Sequence, residues 1–194
     1  MSEDTFVWDT TGPLHASKVG HLDWLLDAAG RQRRHVIPSK VAEEMGGHGY
    51  PADAQQLDIE ELGFEDLPLL VLWQQLLGSD EGAGINEGEA WVVTLAQRMR
   101  AVAIVDDAEA LKVIRRTGAV NVSGGAQSQD AVTAHGVLWA ISRGVVEKRV
   151  SGPSAYSGLC DRMMAEEEGL SAIRWPFRQG GYPRWYKANE KDLV

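Results

Sequence analysis

Five carboxylates stand where a parallel sheet would put its chemistry. Asp9 closes a short apolar run, Thr5 to Asp9, and Asp106-Asp107 follow another, Val102 to Val105. Short strands that are apolar throughout and alternate with helices imply a parallel sheet covered on both faces. Such sheets bind their ligands at the carboxyl ends of the strands. Stability asks for no acids there, and acids brought together repel one another unless a positive charge joins them. A divalent cation is the usual remedy. Mg2+ takes oxygen ligands, typically one or two carboxylates, and keeps several waters. Glu89 opens the helix that leads into the Val102 run, so it is placed to point towards Asp106. Glu44 lies a turn or more into the helix after the second strand. Each acid also has an ordinary role. Asp9 before Thr10-Thr11 and Asp107 before Ala108 fit helix N-caps. Glu87 and Glu89 in a first helical turn complement the helix dipole.

The elements that would hold these acids are legible along the chain. After the first strand, Gly12-Pro13 breaks the run, and Leu14, Val19, Leu22, Leu25 and Leu26 recur at helical spacing. His35-Val36-Ile37 reads as a second strand. Pro38 then opens a helix carrying Val41, Glu44 and Met45, which Gly46 to Pro51 ends. Leu57 to Leu62 reads as a short strand or turn, and Asp66 to Leu77 as a strongly apolar helix. Glu87 to Arg100 forms a helix, Val102 to Val105 a strand and Ala108 to Thr117 a helix. Ala119 to Val122 reads as the last strand, and Asp130 to Ser142 as the helix after it. Residues 144–194 differ in character. They offer a short helix, Ala155 to Glu168, and an aromatic, basic tail with Arg174, Trp175, Arg178, Tyr182, Arg184, Trp185, Tyr186 and Lys187. The reading is an α/β domain over residues 1–143 and a C-terminal extension over 144–194, with the boundary near Gly144 to Gly152. The extension is expected to pack on the domain or on a partner.

Composition narrows the function. The 194 residues suffice for one domain of about 100–150 residues plus an appendage. With 19 basic and 28 acidic residues the net charge is -9. A passive coat on nucleic acid needs the opposite balance, because such binding neutralises phosphates. An enzyme that meets nucleic acid through bound metal is not excluded. The one cysteine, Cys160, allows no internal disulfide and no site built on several thiolates. No apolar run reaches the roughly 18 residues of a membrane span. The polar start, Met1 to Asp4, lacks the features of a secretory signal. The expectation is a soluble, cytoplasmic protein with no membrane partner.

Four segments resemble, in order, the motifs of PIN-domain proteins. Asp9-Thr10-Thr11-Gly12-Pro13-Leu14 is similar to their opening D-T/S-x-P-L, with one extra residue before the proline. Val36-Ile37-Pro38-Ser39-Lys40-Val41-Ala42-Glu43-Glu44-Met45 resembles V-P-x-x-V-x-x-E-L. Gly88-Glu89-Ala90, with Leu95-Ala96, resembles G-E-A-E-A-I-x-L-A. Val105-Asp106-Asp107-Ala108-Glu109-Ala110 resembles L-D-D-x-x-A-R. The resemblance runs from Phe6 to about Ser142. It implies a three-layer α/β/α fold with a central parallel sheet. It also implies a Mg2+- or Mn2+-dependent ribonuclease, often the toxin of a toxin–antitoxin pair, whose partners would be RNA, an antitoxin and a second copy. Carried over, Asp9, Glu44, Glu89 and Asp107 fall on the acidic positions, with Asp106 a close competitor as metal ligand. Trp91 stands where the family has a second acid, and Ser123 to Asp130 is longer and more polar than the family's turn. A catalytically weak module that binds proteins is the alternative. In the leading reading the acids hold one or two metal ions, which make a nucleophilic water available near neutral pH.

Other motifs fall away. Gly78 to Gly88 lacks the G-x-x-x-x-G-K-[ST] pattern of a phosphate loop. His15, His21, His35, His48 and His135 show no paired metal spacing. Ser123 and Ser128 lack a nucleophile-elbow context. Asp9 lacks the second aspartate of aspartyl phosphatases. An acidic protein that cuts RNA needs a positive strip beside its site. Arg98, Arg100, Arg115 and Arg116 are the expected members, with Arg174, Arg178 and Arg184 of the tail. Trp175 and Trp185 are placed either to stack on bases or to fill a protein interface.

Overall fold

A computed structural model describes residues 4–18, 20–50, 57–78, 87–118, 132–153, 156 and 181–193. Five strands, β1 (Thr5–Trp8), β2 (Arg34–Pro38), β3 (Asp58–Glu60), β4 (Val102–Ile104) and β5 (Thr133–His135), form one all-parallel sheet in the order β3-β2-β1-β4-β5. The helices are α1 (Thr11–Lys18), α2 (Leu22–Gly30), α3 (Ser39–Gly47), α4 (Leu67–Leu77), α5 (Glu87–Met99), α6 (Ala108–Gly118), α7 (Val137–Val146) and α8 (Gly181–Asn189). The fold is α/β, a parallel central sheet flanked by helices, as a three-layer α/β/α architecture requires.

The central strands are apolar because both their faces are covered. Phe6, Val7, Trp8, Val36, Ile37 and Val102 to Val105 are all buried. Within this core the Trp8 indole donates to His35 Nδ1 at 3.1 Å, which satisfies the two polar groups together. Helix α5 packs against β1, β2 and β4. It ends at Arg100, whose φ of 54° lets the Ala101 amide reach back to the Ala96 carbonyl at 2.9 Å. The chain then enters β4 at once.

The strand order carries the functional consequence. From β1 the chain steps to β2 and β3 on one side, then crosses to β4 and β5 on the other. The reversal falls between β1 and β4. In open parallel sheets that crevice is where ligands bind.

Two stretches differ from expectation. The helix expected over Leu14 to Leu26 is two helices, α1 and α2. Gly20 at φ 70° separates them, and the His21 amide closes α1 on the Ala16 carbonyl at 2.8 Å. The helix expected from Asp130 to Ser142 is instead β5 followed by α7 from Val137. Thr133-Ala134-His135 buries only Ala134, as suits a strand at the sheet's edge, and so lacks a continuous apolar run. The expected strand Ala119 to Val122, the turn Ser123 to Asp130, the helix Ala155 to Glu168 and the stretch Arg174 to Arg178 lie outside the described residues.

Met1–Gly12 with Gln32–Gly136 forms one compact unit, which holds the whole sheet. Pro13–Arg31 with Val137–Val194 forms a second. The boundary expected near Gly144 to Gly152 falls inside this second unit. There α2 packs on α7, and Arg149 donates to the Ala28 carbonyl at 2.9 Å. Arg143 lies over the Trp139 ring, 4.2 Å from its centroid. Tyr182 is buried with its hydroxyl 3.1 Å from Ser142 Oγ, and Trp185 stacks on Tyr182. Trp185 is half-buried and has one ring neighbour, Tyr182, within its own unit. No helix among the described residues is long and apolar enough to cross a membrane.

Candidate functional site

The acids gather at the β1–β4 crevice. Asp9 follows β1 directly, and its amide donates to the Ile104 carbonyl at 2.9 Å, which extends the strand ladder by one rung. Its side chain is only 6% exposed. Its Oδ2 accepts the Thr11 hydroxyl at 3.2 Å, and the amides of Thr10 and Thr11 also donate to the carboxylate. Burial pushes the Asp9 carboxyl up to about 6, against 3.8 in the open. The hydrogen bonds oppose that rise and the charge of Glu44 adds to it.

Glu44 comes from the second turn of α3. Thr10 Oγ1 donates to Glu44 Oε2 at 2.5 Å, so adjacent threonines each hold one carboxylate. Gly88, in the first turn of α5, lies against both acids. A Cβ built there would sit 3.5 Å from both Glu44 carboxylate oxygens and 3.6 Å from Asp9 Oδ1. Glycine therefore leaves open the space between Asp9 and Glu44 that any side chain would begin to fill.

Glu89 follows, half-buried. Burial first, then the charges of Asp9, Asp107 and Glu44, push its carboxyl up to about 7 from 4.5. Asp9, Glu44, Glu89 and Asp107 thus share one electrostatic field. Asp107 is also the N-cap of α6, accepting the Ala110 amide at 2.7 Å, so its ordinary role is real. Asp106 turns towards the end of β5, its Oδ1 3.7 Å from where a Gly136 Cβ would sit.

These are hard oxygen donors around a gap lined by a glycine, and two of them, Asp9 and Glu89, are raised towards neutrality by burial and by neighbouring charge. That chemistry fits a divalent cation. Among the described residues no group of three or more His, Cys, Asp or Glu side chains closes to metal-ligand geometry. The acids share a field rather than a ready coordination sphere.

Of the expected arginine strip, Arg98, Arg115 and Arg116 are not beside the acids, and Arg174 and Arg178 lie outside the described residues. α5 and α6 both start at the site and run away from it. Arg98 is nine residues beyond Glu89, about 13 Å along the helix, and Arg115 and Arg116 stand at the far end of α6. Arg98 is bound instead to Asp66 at 2.9 Å and to the Glu61 carbonyl at 2.9 Å. A cation that the described residues do place beside the acids is Lys40, in the first turn of α3. It pairs with Glu87 at 3.2 Å, and its pKa is raised by that hydrogen bond and by the charges of Glu87, Glu44 and Glu43. A cation is disfavoured at a helix start, which is a signal readable in the sequence.

Comparison with protein-family models, with characterised proteins and with solved structures returned no significant match. The site therefore stands on its own geometry.

Proposed function

We propose that this chain is a ribonuclease of the PIN type, in which Asp9, Glu44, Glu89 and Asp107 hold Mg2+ or Mn2+ with Asp106 alongside. One observation carries the reading. Acids from four different elements converge at the reversal point of the sheet, and burial and mutual repulsion raise Asp9 and Glu89 towards neutrality. A bound divalent ion supplies Lewis-acid polarisation of a phosphoryl oxygen and a nucleophilic water near neutral pH. The chain's own residues prepare for that. Thr10 and Thr11 fix the direction of Glu44 and Asp9. Gly88 keeps the gap between them open. Lys40 supplies the positive charge that an RNA phosphate needs beside an acidic site, exchanging Glu87 for the phosphate. The activity is that of a cytoplasmic nuclease, and a toxin held by an antitoxin is its expected setting.

Incubating the protein with single-stranded and structured RNAs and Mg2+ or Mn2+ tests the reading, with Asp9→Asn as control. Cleavage equal in both proteins overturns it. Trp91, in place of a family acid, favours a second reading, a protein-binding module without catalysis. Calorimetry with Mn2+ separates the two, since only the nuclease requires metal binding that depends on Asp107.

A further inference from the structure

Of the seven tryptophans, six lie among the described residues, and five of these are engaged. Trp8 donates to His35 Nδ1 and Trp73 to Gln97 Oε1, each at 3.1 Å. Trp24 meets the Tyr156 ring edge-on, Trp139 lies under Arg143, and Trp185 stacks on Tyr182. Trp91 has no such neighbour among the described residues: no ring, no cation over its face and no acceptor for its indole N–H. Its place on α5 also sets it apart. From Ala90 to Ala96 every other residue is buried, and the largest side chain is the one left half-buried. Hydrophobicity alone would put an indole inside.

The ring stands at the mouth of the acid site. Trp91 follows Glu87 by four residues and Gly88 by three, so the three share one side of α5, about 5.4 Å apart along its axis. Long side chains on a helix lean back over the preceding turn. For Trp91 that turn carries Glu87, which holds Lys40 at 3.2 Å, and Gly88, whose bare Cα faces Asp9 and Glu44. An aromatic face thus lies beside a cation and beside the acids. We infer that Trp91 is a stacking platform for a nucleobase, and that the site takes single-stranded rather than paired RNA. The inference rests on the nuclease reading. Lys40 takes a phosphate, and Trp91 takes a base next to it. A base inside a duplex is covered on both faces by its neighbours and offers none to an indole, whereas an unpaired base does. Stacking also suits this chain's charge. At a net charge of -9 little positive charge is left for phosphates, and a stacked base needs none. Trp91 stands where the PIN pattern has a second acid, so the site has exchanged a charge for a base-binding surface.

Anisotropy of a short fluorescent oligoadenylate tests it, with Mn2+ present and Asp9→Asn in every protein to block cleavage. Trp91→Leu keeps an apolar side chain and removes the stacking face, and is expected to weaken binding about tenfold. Trp91→Phe is expected to keep most of the affinity. Fully paired RNA of the same length is expected to bind weakly, and equally, with Trp, Leu or Phe at this position. A 4-thiouridine oligonucleotide irradiated with the Trp91 protein is expected to cross-link at Trp91, a readout that survives if Trp91→Leu does not fold. A folded Trp91→Leu protein that binds the oligoadenylate as tightly as its parent overturns the inference. So does a Trp91→Phe protein no better than Trp91→Leu, an equal loss for paired RNA, a cross-link that maps elsewhere, or a parent protein that binds no RNA. Cleavage by the unsubstituted chain decides the nuclease reading separately: RNA cut by that chain while Trp91→Leu binds unchanged removes the platform alone.

Discussion

Two groups of acids in this molecule are handled in opposite ways. At the β3 edge, Asp58, Glu60 and Asp66 are matched by arginines. Arg34 donates to Asp58 and to Glu60 at 2.6 Å each, and Arg98 reaches Asp66 at 2.9 Å. Asp66 is buried and also accepts the Gly63 amide at 2.7 Å, so its charge is well partnered. At the β1–β4 crevice the acids face one another instead, with threonine hydroxyls and backbone amides as donors. Lys40 stands at the rim rather than among them, spoken for by Glu87. The first arrangement ties a short edge strand to α5. The second stores unfavourable charge at a place where stability alone gives no reason to put it.

Substitutions should separate the two groups in opposite directions. The largest effect is expected from Asp9→Asn, which should lower RNA cleavage at least about a hundredfold. The same change should raise metal-free stability at pH 7.5, because it removes a charge that burial penalises. Holding the Asp9 carboxyl at about 6 rather than 3.8 corresponds to about 3 kcal/mol at most. Asp66→Asn should do the reverse, costing about 2 kcal/mol by removing the buried carboxylate that Arg98 pairs with most closely and leaving the acids of the β1–β4 crevice untouched. Thermal melts of the two variants, run side by side, check this. If both destabilise alike, the distinction between the regions is lost.

Mn2+ should sharpen the same contrast. At a hundred times its Kd, an ion that binds only the folded state adds about 2.7 kcal/mol. For a chain of this size that is about 5–10 °C in Tm. The gain should vanish in Glu89→Gln and persist in Asp66→Asn.

The metal-free protein should also respond to pH in an unusual sense. Asp9 and Glu89 have raised values when folded, so the folded state binds the extra protons. Their contribution is complete below about pH 4 and is lost as pH climbs through 6 and 7. Denaturation midpoints measured with a chelator should therefore fall between pH 5.5 and 8, and Asp9→Asn should flatten that fall.

The smallest effect is expected from Lys40→Ala. It should raise KM for RNA several-fold with kcat little changed, and reduce the log–log salt slope of binding by about one. Lys40→Arg should restore the slope. A lowered kcat with unchanged KM would instead assign Lys40 to positioning the acids.

Much of this was readable in the residues. The apolar runs at Phe6, Val36 and Val102 announce central parallel strands, because only double-sided burial demands side chains of one kind. Their carboxyl ends locate Asp9, Asp106 and Asp107, and the helix start locates Glu89. Edge strand β5 was not readable, because Thr133-Ala134-His135 is half exposed and too short to show a period. Glu44 became convincing only through Thr10, and no spacing rule says that one threonine serves a neighbour's acid. Arg98, Arg115 and Arg116 are placed away from the acids because proximity in sequence ignores direction. A helix that begins at the site carries its last turn away from it, so Arg115 follows Asp107 in the chain and departs from it in space.

The amide of Asp9 bound to the carbonyl of Ile104 has a consequence for timing. Asp9 leaves the ribosome 95 residues ahead of Ile104. Synthesis runs from the N-terminus, and pairing distant strands is slow compared with winding helices. The Asp9 carboxylate is therefore made well before it is set in place. A nascent chain that stops before β4 holds Asp9, Glu44 and Glu89 but neither the rung that anchors Asp9 nor Asp107. On the proposed function, truncated or stalled products are harmless to the message being read, and activity begins only with a chain long enough to close its central strands.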